Sequence, residues 1–340
     1  KLKAIKKLDH QKSEMVTQRR NIVQNALKEK KNKLKQLEEE RQDFAIQLRL
    51  LNDRYQSDFK IDQLLNEGKY LLIELIGKGG FSEVWRAYDI EECRSVAIKI
   101  QHMNPQWSKQ VKENFVRHSG REIQILSSTQ HKNVVGFYEK FYIGDNTLAL
   151  VMEYCGGGDL AMMLRRRGRI PEKEAKIILA QVIGGLLALR LQENYVIHYD
   201  LKPANILFSE NEIVKITDFG ISKIVEGDTS SIELTSQGTG TFIYAAPETF
   251  QRGKSVFITK SVDTWSLGII LYEMLYGSPR PFSETGNMDT INFPANIKVS
   301  EQGKAFISKC LDKDPSTRPE LSVLATDDEY IHPILAELNL

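Results

Sequence analysis

The sequence predicts an α+β protein: a small antiparallel-sheet lobe followed by a larger helical lobe, with a long helix in front of both. Three observations carry that expectation. Residues 1–67 contain no Gly and no Pro and are rich in Lys, Glu, Gln and Leu, all good helix formers. Between residues 70 and 153, short β-branched or aromatic runs are separated by turn residues. After Gly158 the pattern becomes mostly helical.

The totals fit such an arrangement. The chain has 340 residues, more than one average domain, and 41% of them are apolar, enough for a real core. The net charge is +1, which excludes a chain that is basic or acidic throughout. The charge is unevenly placed, however. Residues 1–60 hold 16 Lys/Arg against 9 Asp/Glu, and the remaining 280 hold 30 against 36, so two segments of different character are expected. Cys93, Cys155 and Cys310 are odd in number and far apart, with no CxxC pair. That argues against a disulfide framework and a structural zinc, and for a reducing compartment. No secretory signal is visible, and because the chain opens on Lys1 its true terminal signals are expected to lie outside it. The longest apolar run, 177–189, is 13 residues long and includes Gln181. It is too short to cross a bilayer and reads as a buried helix.

In chain order, a 3-4 spacing in the first helix picks out Leu27, Lys30, Leu34, Leu37, Arg41, Phe44, Leu48 and Leu51, six of these eight being apolar. This reads as a coiled-coil seam, with a single amphipathic helix packed on the following domain as the alternative. The charge run 28–35 reads as a solvated helix face rather than a nuclear-import or nucleic-acid patch, so there is no strong nucleic-acid signal. Strands are expected at 70–76, 81–88 and 95–100, a helix near 109–129, and strands at 134–143 and 147–153. The domain boundaries that follow are 1–67 for the helical segment, 68–153 for the sheet lobe, 154–334 for the helical lobe and 335–340 for a short tail.

The chemistry centres on Val196-Ile-His-Tyr-Asp-Leu-Lys-Pro-Ala-Asn-Ile-Leu-Phe208. Apolar residues at both ends anchor a loop that holds Asp200, Lys202 and Asn205. A base for a hydroxyl, a cation for phosphate and an oxygen ligand for magnesium are what phosphoryl transfer needs. Gly77-Lys-Gly-Gly-Phe-Ser-Glu-Val84 lies between two expected strands, where glycine lets the backbone turn and bring N–H groups onto phosphate. Ser82 stands where G-x-G-x-x-G has its third glycine, with Gly80 nearby. A loop between strands argues against a dinucleotide-binding or Walker loop. Lys99 ends a run that predicts a buried strand, so it needs an anionic partner. Nucleotide phosphates and Glu122, in Arg121-Glu-Ile-Gln-Ile-Leu126, would serve. Asp218-Phe-Gly220 follows Asn205 by 13 residues, and with it would hold a magnesium ion bridging nucleotide phosphates.

Taken together, the Gly-rich loop, Val96-Ala-Ile-Lys99, His198-x-Asp-Leu-Lys-Pro-x-Asn205, Asp218-Phe-Gly220 and Ala246-Pro-Glu248 resemble a eukaryotic protein kinase from about 70 to 332. The resemblance implies the bilobal kinase fold, with ATP and magnesium as cofactors. It makes Asp200 the residue that orients and deprotonates a substrate hydroxyl and Lys202 the cation on the transferring phosphoryl. Asn205 and Asp218 become the magnesium ligands, and Lys99, paired to Glu122, holds the α- and β-phosphates. Gly77, Gly79, Gly80, Phe81, Ser82, Val84, Ala97 and Leu207 would surround the nucleotide. Met152 would precede a hinge whose Glu153 and Cys155 meet adenine through their backbone, and Asp159 would reach the ribose. Asp263 would hold the catalytic loop from below, and Glu248 would pair with Arg318. Lys202 and Thr241 fit the serine/threonine class.

A finer resemblance is to the Tousled-like kinases. It rests on Tyr199 within His198-Tyr-Asp-Leu-Lys-Pro203, on Glu233-Leu-Thr-Ser-Gln-Gly238, on the loop Gly79-Gly-Phe-Ser-Glu-Val84, on Asn114-Phe-Val-Arg-His-Ser-Gly-Arg-Glu122 and on the basic helix upstream. Ala245-Ala-Pro-Glu248 departs from that family's usual Leu-Pro-Pro-Glu. The resemblance implies protein substrates such as histone chaperones, homo-oligomerisation through residues 1–67, a nuclear location and no membrane. Tyr199 also replaces the arginine with which many kinases grip a phosphorylated activation segment, so catalysis is expected not to need that grip. Thr235 and Ser236 remain candidate phosphorylation sites. Two other readings stand beside this one. One is a pseudokinase scaffold, favoured slightly by Ser82; the other is a coiled-coil interaction protein in which the kinase domain is incidental.

Overall fold

The computed structural model describes residues 2–191, 194–225, 232–233, 241–250, 256–282 and 290–340, with side chains from residue 15 onward except at 190 and 191. Thr235 and Ser236 lie outside the described residues. The chain divides into two compact units, 1–58 and 59–340.

The first unit is one helix, α1 (Leu2–Tyr55), 54 residues long. Uninterrupted helix formers and the absence of Gly and Pro account for its length. Its seam residues Leu27, Leu34, Leu37, Phe44, Leu48 and Leu51 are all at least 40% exposed, as are Met15, Val16, Ile22 and Val23 further up.

The second unit opens earlier than the composition suggested. Helix α1 stops at Tyr55, and 59–67 already belong to the sheet lobe. Phe59 and Leu65 are buried in its core, and β1 (Leu64–Leu65) pairs with β2 (Tyr70–Lys78). The boundary therefore falls at 59 and not 68. A two-residue strand embedded in helix-forming composition leaves no periodicity to read. Strands β3 (Ser82–Asp89), β4 (Arg94–His102), β5 (Phe137–Ile143) and β6 (Thr147–Glu153) complete an antiparallel sheet in the order β1-β2-β3-β4-β6-β5. The alternation along β4 sets its two faces. Val96, Ile98 and Ile100 join Trp85, Leu72 and Val151 in the small core, and Ala97, Lys99 and Gln101 face the other way. Helix α2 (Lys109–Ser128) crosses that second face; Ser108 caps its N-terminus by accepting from the Val111 N–H.

The helical lobe is built on α3 (Leu160–Arg167), α4 (Glu172–Ala188), α5 (Ser261–Tyr276), α6 (Glu301–Cys310), α7 (Leu321–Asp327) and α8 (His332–Glu337). Helices α4 and α5 are the most extensively buried of these and form its centre, as expected of core helices. Between α4 and α5 the chain runs through short strands: β7 (Arg190–Leu191), β8 (Asn194–Ile197), β9 (Ile206–Phe208), β10 (Val214–Ile216), β11 (Lys223–Val225), β12 (Ile232–Glu233) and β13 (Phe257–Ile258). One continuous apolar cluster runs from Ile125 and Leu126 of α2 through α4 and α5 to Leu335. Residues 335–340 are not a tail. Leu335 is 3% exposed, the Leu338 carbonyl accepts from Lys132 Nζ at 2.8 Å, and Leu340 packs so closely on Gly184 that an added Cβ would come within 2.9 Å of it. No helix among the described residues is long and apolar enough to cross a membrane.

Candidate active site

The cleft between the two lobes collects most of the residues singled out from the sequence. The Gly-rich stretch is the β2–β3 hairpin. Gly77 pairs with Val84, and the Gly79 N–H donates to the Ser82 carbonyl at 2.7 Å to close the turn. Gly80 has no neighbour within 4 Å of where a Cβ would stand. Phe81, 60% exposed, rests edge-on against Trp107, ring centres 4.8 Å apart.

Lys99 leaves β4 into the cleft and meets two carboxylates: Glu122 of α2 at 2.6 Å and Asp218 at 3.1 Å. Burial disfavours its charge, but the two anions outweigh that and hold its pKa above the usual lysine range. Lys99 in turn holds the Asp218 carboxyl below its ordinary range, with burial opposing. The Glu122 carboxylate is itself tied down. Its second oxygen accepts from Gln101 Nε2 at 2.8 Å, and Gln101 Oε1 accepts from the Ser119 hydroxyl at 2.6 Å. Gln101 and Ser119 did not emerge from the sequence. The available signal was a polar residue two places after Lys99 on a strand, and another three places before Glu122 on a helix.

Below the cleft, the catalytic loop is held by Asp263 of α5. Its two oxygens accept from the His198 N–H at 2.8 Å and the Tyr199 N–H at 2.9 Å. These bonds fix Tyr199 at φ 69°, a left-handed conformation costly for a bulky residue. Burial raises the Asp263 pKa, and His198 and the two N–H donors act against that rise. Asp218 also has positive φ, at 68°. Phe219 after it is fully buried against the His198 ring, 5.2 Å between centres. His198 Nε2 lies 3.0 Å from the Thr217 carbonyl, which can only accept, so that nitrogen carries the proton.

Asp200 projects from this frame. Its Oδ2 accepts from Lys202 Nζ at 2.6 Å, and its Oδ1 accepts from the Thr241 N–H at 3.1 Å and hydroxyl at 3.2 Å. Asn205 Nδ2 donates to the Asp200 carbonyl at 2.8 Å, which leaves the amide oxygen as an available hard ligand. Asn205 Oδ1 and the Asp218 carboxylate suit magnesium, which prefers one or two protein oxygens plus phosphate and water over an all-protein cage. No group of three or more His, Cys, Asp or Glu able to hold a metal occurs among the described residues.

At the back of the cleft, Ala97 pairs with Met152 and Val96 with Glu153. The Glu153 side chain turns away from the cleft, accepting from the Gly136 N–H at 3.0 Å and pairing with Lys215 at 2.7 Å. Cys155 is half-buried, and burial pushes its thiol up to about 12. Asp159 caps α3, its Oδ1 accepting from the Met162 N–H at 2.7 Å, and bridges to Leu207. Gly157 allows this crossing, because an added Cβ would lie 2.7 Å from the Ser209 carbonyl. Under the outer shelf, Arg318 is fully buried and meets Glu248 through two parallel bonds of 2.7 and 3.1 Å.

Residues 70–330 match the protein kinase domain family. The chain belongs to the protein kinase family. The kinase domain and its preceding helix are similar to proteins named as Tousled kinases. Identity is 40% over 296 residues to the serine/threonine-protein kinase TOUSLED of Arabidopsis thaliana, covering 83% of this chain and 43% of that protein. It is 39% over 313 residues to tousled-like 1 of Caenorhabditis elegans, covering 86% and 32%. To tousled-like 1 of Homo sapiens it is 36% over 349 residues, covering 97% and 45%. The chain thus spans about a third to a half of the length of the curated relatives it matches.

Proposed function

We propose that this chain is an ATP- and magnesium-dependent serine/threonine kinase that moves the γ-phosphoryl group of ATP onto protein hydroxyls. The observation that carries this reading is Lys99, held between Glu122 and Asp218 on the sheet side of the cleft that Asp200 faces from the other lobe. In this reading nucleotide phosphates take over the place of the Asp218 carboxylate on Lys99, while Glu122 keeps the ammonium aimed. The hairpin N–H groups of Gly80 and Phe81 turn toward the phosphates, with Gly77, Gly79 and Ser82 shaping the turn. Val84, Ala97, Met152 and Leu207 enclose the base, the Glu153 and Cys155 backbone meets its edge, and the free Asp159 oxygen reaches the ribose. Asn205 and Asp218 hold the magnesium, which offsets phosphate charge when bound.

Asp200 orients the acceptor hydroxyl and takes its proton. A carboxylate has about four lone-pair sites, so Asp200 can accept from the substrate beside Lys202 and Thr241. Lys202 balances charge on the phosphoryl in flight, and the Thr241 contact supports a serine or threonine acceptor. Similarity to the Tousled-like kinases supports chromatin-assembly substrates such as histone chaperones and a nuclear location. The exposed seam of α1 supports homo-oligomerisation through the N-terminal helix.

The second reading, a nucleotide-binding scaffold without transfer, is favoured only by Ser82. Transfer from ATP to casein and to a histone chaperone, measured for wild type and Asp218→Asn with magnesium, separates the two. The kinase reading expects phosphoserine or phosphothreonine from wild type alone. No transfer from wild type supports the scaffold.

A further inference from the structure

Helix α2 carries Glu122 on few anchors. Its buried residues are Ser119, Glu122, Ile125 and Leu126, all in its second half, and Val111 and Val116 in the first half are exposed. Ile125 and Leu126 seat the helix in the large apolar cluster. Two apolar side chains at one end fix where a helix sits better than how a carboxylate one turn away is aimed.

The aim comes from a polar chain shared by two elements. Strand period places Lys99 and Gln101 on one face of β4, and Ser119 and Glu122, three apart, share one face of α2. The Ser119 hydroxyl donates to Gln101, Gln101 donates to one Glu122 oxygen, and Lys99 donates to the other. Only one orientation of the Gln101 amide serves, because the reverse would set its oxygen against the carboxylate. Gln101 and Ser119 are each 6% exposed and Glu122 is 2%, so water does not compete for these bonds. Every member lies in β4 or α2, and none is drawn from the segment after Asp218, which α2 meets separately where Arg121 Nη1 donates to the Ser222 carbonyl at 3.0 Å.

We propose that Gln101 and Ser119 are positioning residues: they hold one Glu122 oxygen so that the other stays on Lys99 and the ammonium is set for nucleotide phosphate. The inference rests on the phosphoryl-transfer reading above. The test is steady-state kinetics of wild type, Gln101→Leu, Ser119→Ala and Ser119→Thr, with Asp200→Asn as the inactive control. A hydrogen bond to a charged group is worth roughly tenfold or more in an equilibrium constant. Gln101→Leu is therefore expected to raise KM for ATP about tenfold. Ser119→Ala raises it less, Ser119→Thr restores it by keeping the hydroxyl, and KM for the protein substrate stays constant. A merely structural role would lower the folded fraction, reducing kcat and leaving both KM values alone. That pattern, or a wild-type KM for ATP in both Gln101→Leu and Ser119→Ala, overturns the inference. An inactive wild type would refute the transfer reading instead. The same comparison would then be made on MgATP affinity by calorimetry, where a Kd unchanged in Gln101→Leu overturns the positioning role.

Discussion

Replacing Arg318 with Met removes the cation from a pair that water does not reach. The Arg318 side chain is 0% exposed and that of Glu248 6%. Besides its two bonds to Glu248, Arg318 donates to the Asp312 carbonyl at 2.8 Å and the Ser261 carbonyl at 3.2 Å. Its guanidinium carbon also sits 5.0 Å from the Trp265 ring centre. Arg318→Met keeps an apolar contact with that ring but leaves a buried carboxylate uncompensated, which costs about 3–5 kcal/mol. Unfolding entropy of about 2.1 cal/mol/K per residue, over roughly 280 residues, gives about 0.6 kcal/mol/K. The melting temperature should therefore fall by about 5–8 °C. Adding Glu248→Met removes the stranded charge and should recover at least half of the loss, with a coupling energy of at least about 2 kcal/mol. The remainder belongs to the two carbonyls. Thermal unfolding followed by circular dichroism reads both. A fall under about 2 °C for the single variant, or a double variant equal to the sum of the singles, would refute the uncompensated-charge argument.

Four further outcomes are expected. Asp263→Asn can accept from only one of the His198 and Tyr199 N–H groups, so kcat should drop by at least tenfold; a near-normal kcat would show that the loop holds its shape unaided. Gly157→Ala places a methyl 2.7 Å from the Ser209 carbonyl and should destabilise by about 1–3 kcal/mol in urea, against little effect at the open Gly80. Because Lys99 depresses the Asp218 carboxyl, that group's contribution to stability is present above the ordinary carboxylate range and lost as pH falls below it. Asp218→Asn should flatten this acid limb in pH-dependent melts, and an unchanged limb counts against the pairing. Finally, the solution mass of 1–340 should be a multiple of its chain mass while 59–340 stays monomeric, and Leu34→Glu with Leu37→Glu should return 1–340 to its monomer mass; a monomer mass for wild-type 1–340 would refute self-association through α1.

Several features were legible because local chemistry announces them. The strands at 70–76, 81–88 and 147–153 are β-branched or aromatic runs between turns, and they appear as β2, β3 and β6. Lys99 in an apolar strand demanded an anion, and Glu122 answers it. What escaped depends on contacts distant in sequence. Leu340 on Gly184, and Phe59 and Leu65 in the sheet core, mark boundaries that composition places elsewhere. Ser119 carries no local sign of its role, yet it is a buried donor. Tyr199 was singled out for the charge it lacks. Its positive φ, held by Asp263, and Lys223 Nζ 5.8 Å from its ring centre are visible only in the fold.

The central claim is that Asp200 acts on a hydroxyl while Lys99, Asn205 and Asp218 hold MgATP. Binding of MgATP and transfer of its γ-phosphoryl to a protein substrate, measured on the same preparations of wild type and Asp200→Asn, tests it most directly. The account predicts that both bind the nucleotide with similar affinity and that only wild type yields phosphoserine or phosphothreonine. Wild-type protein that binds MgATP and transfers nothing, or Asp200→Asn that transfers as fast as wild type, would contradict it.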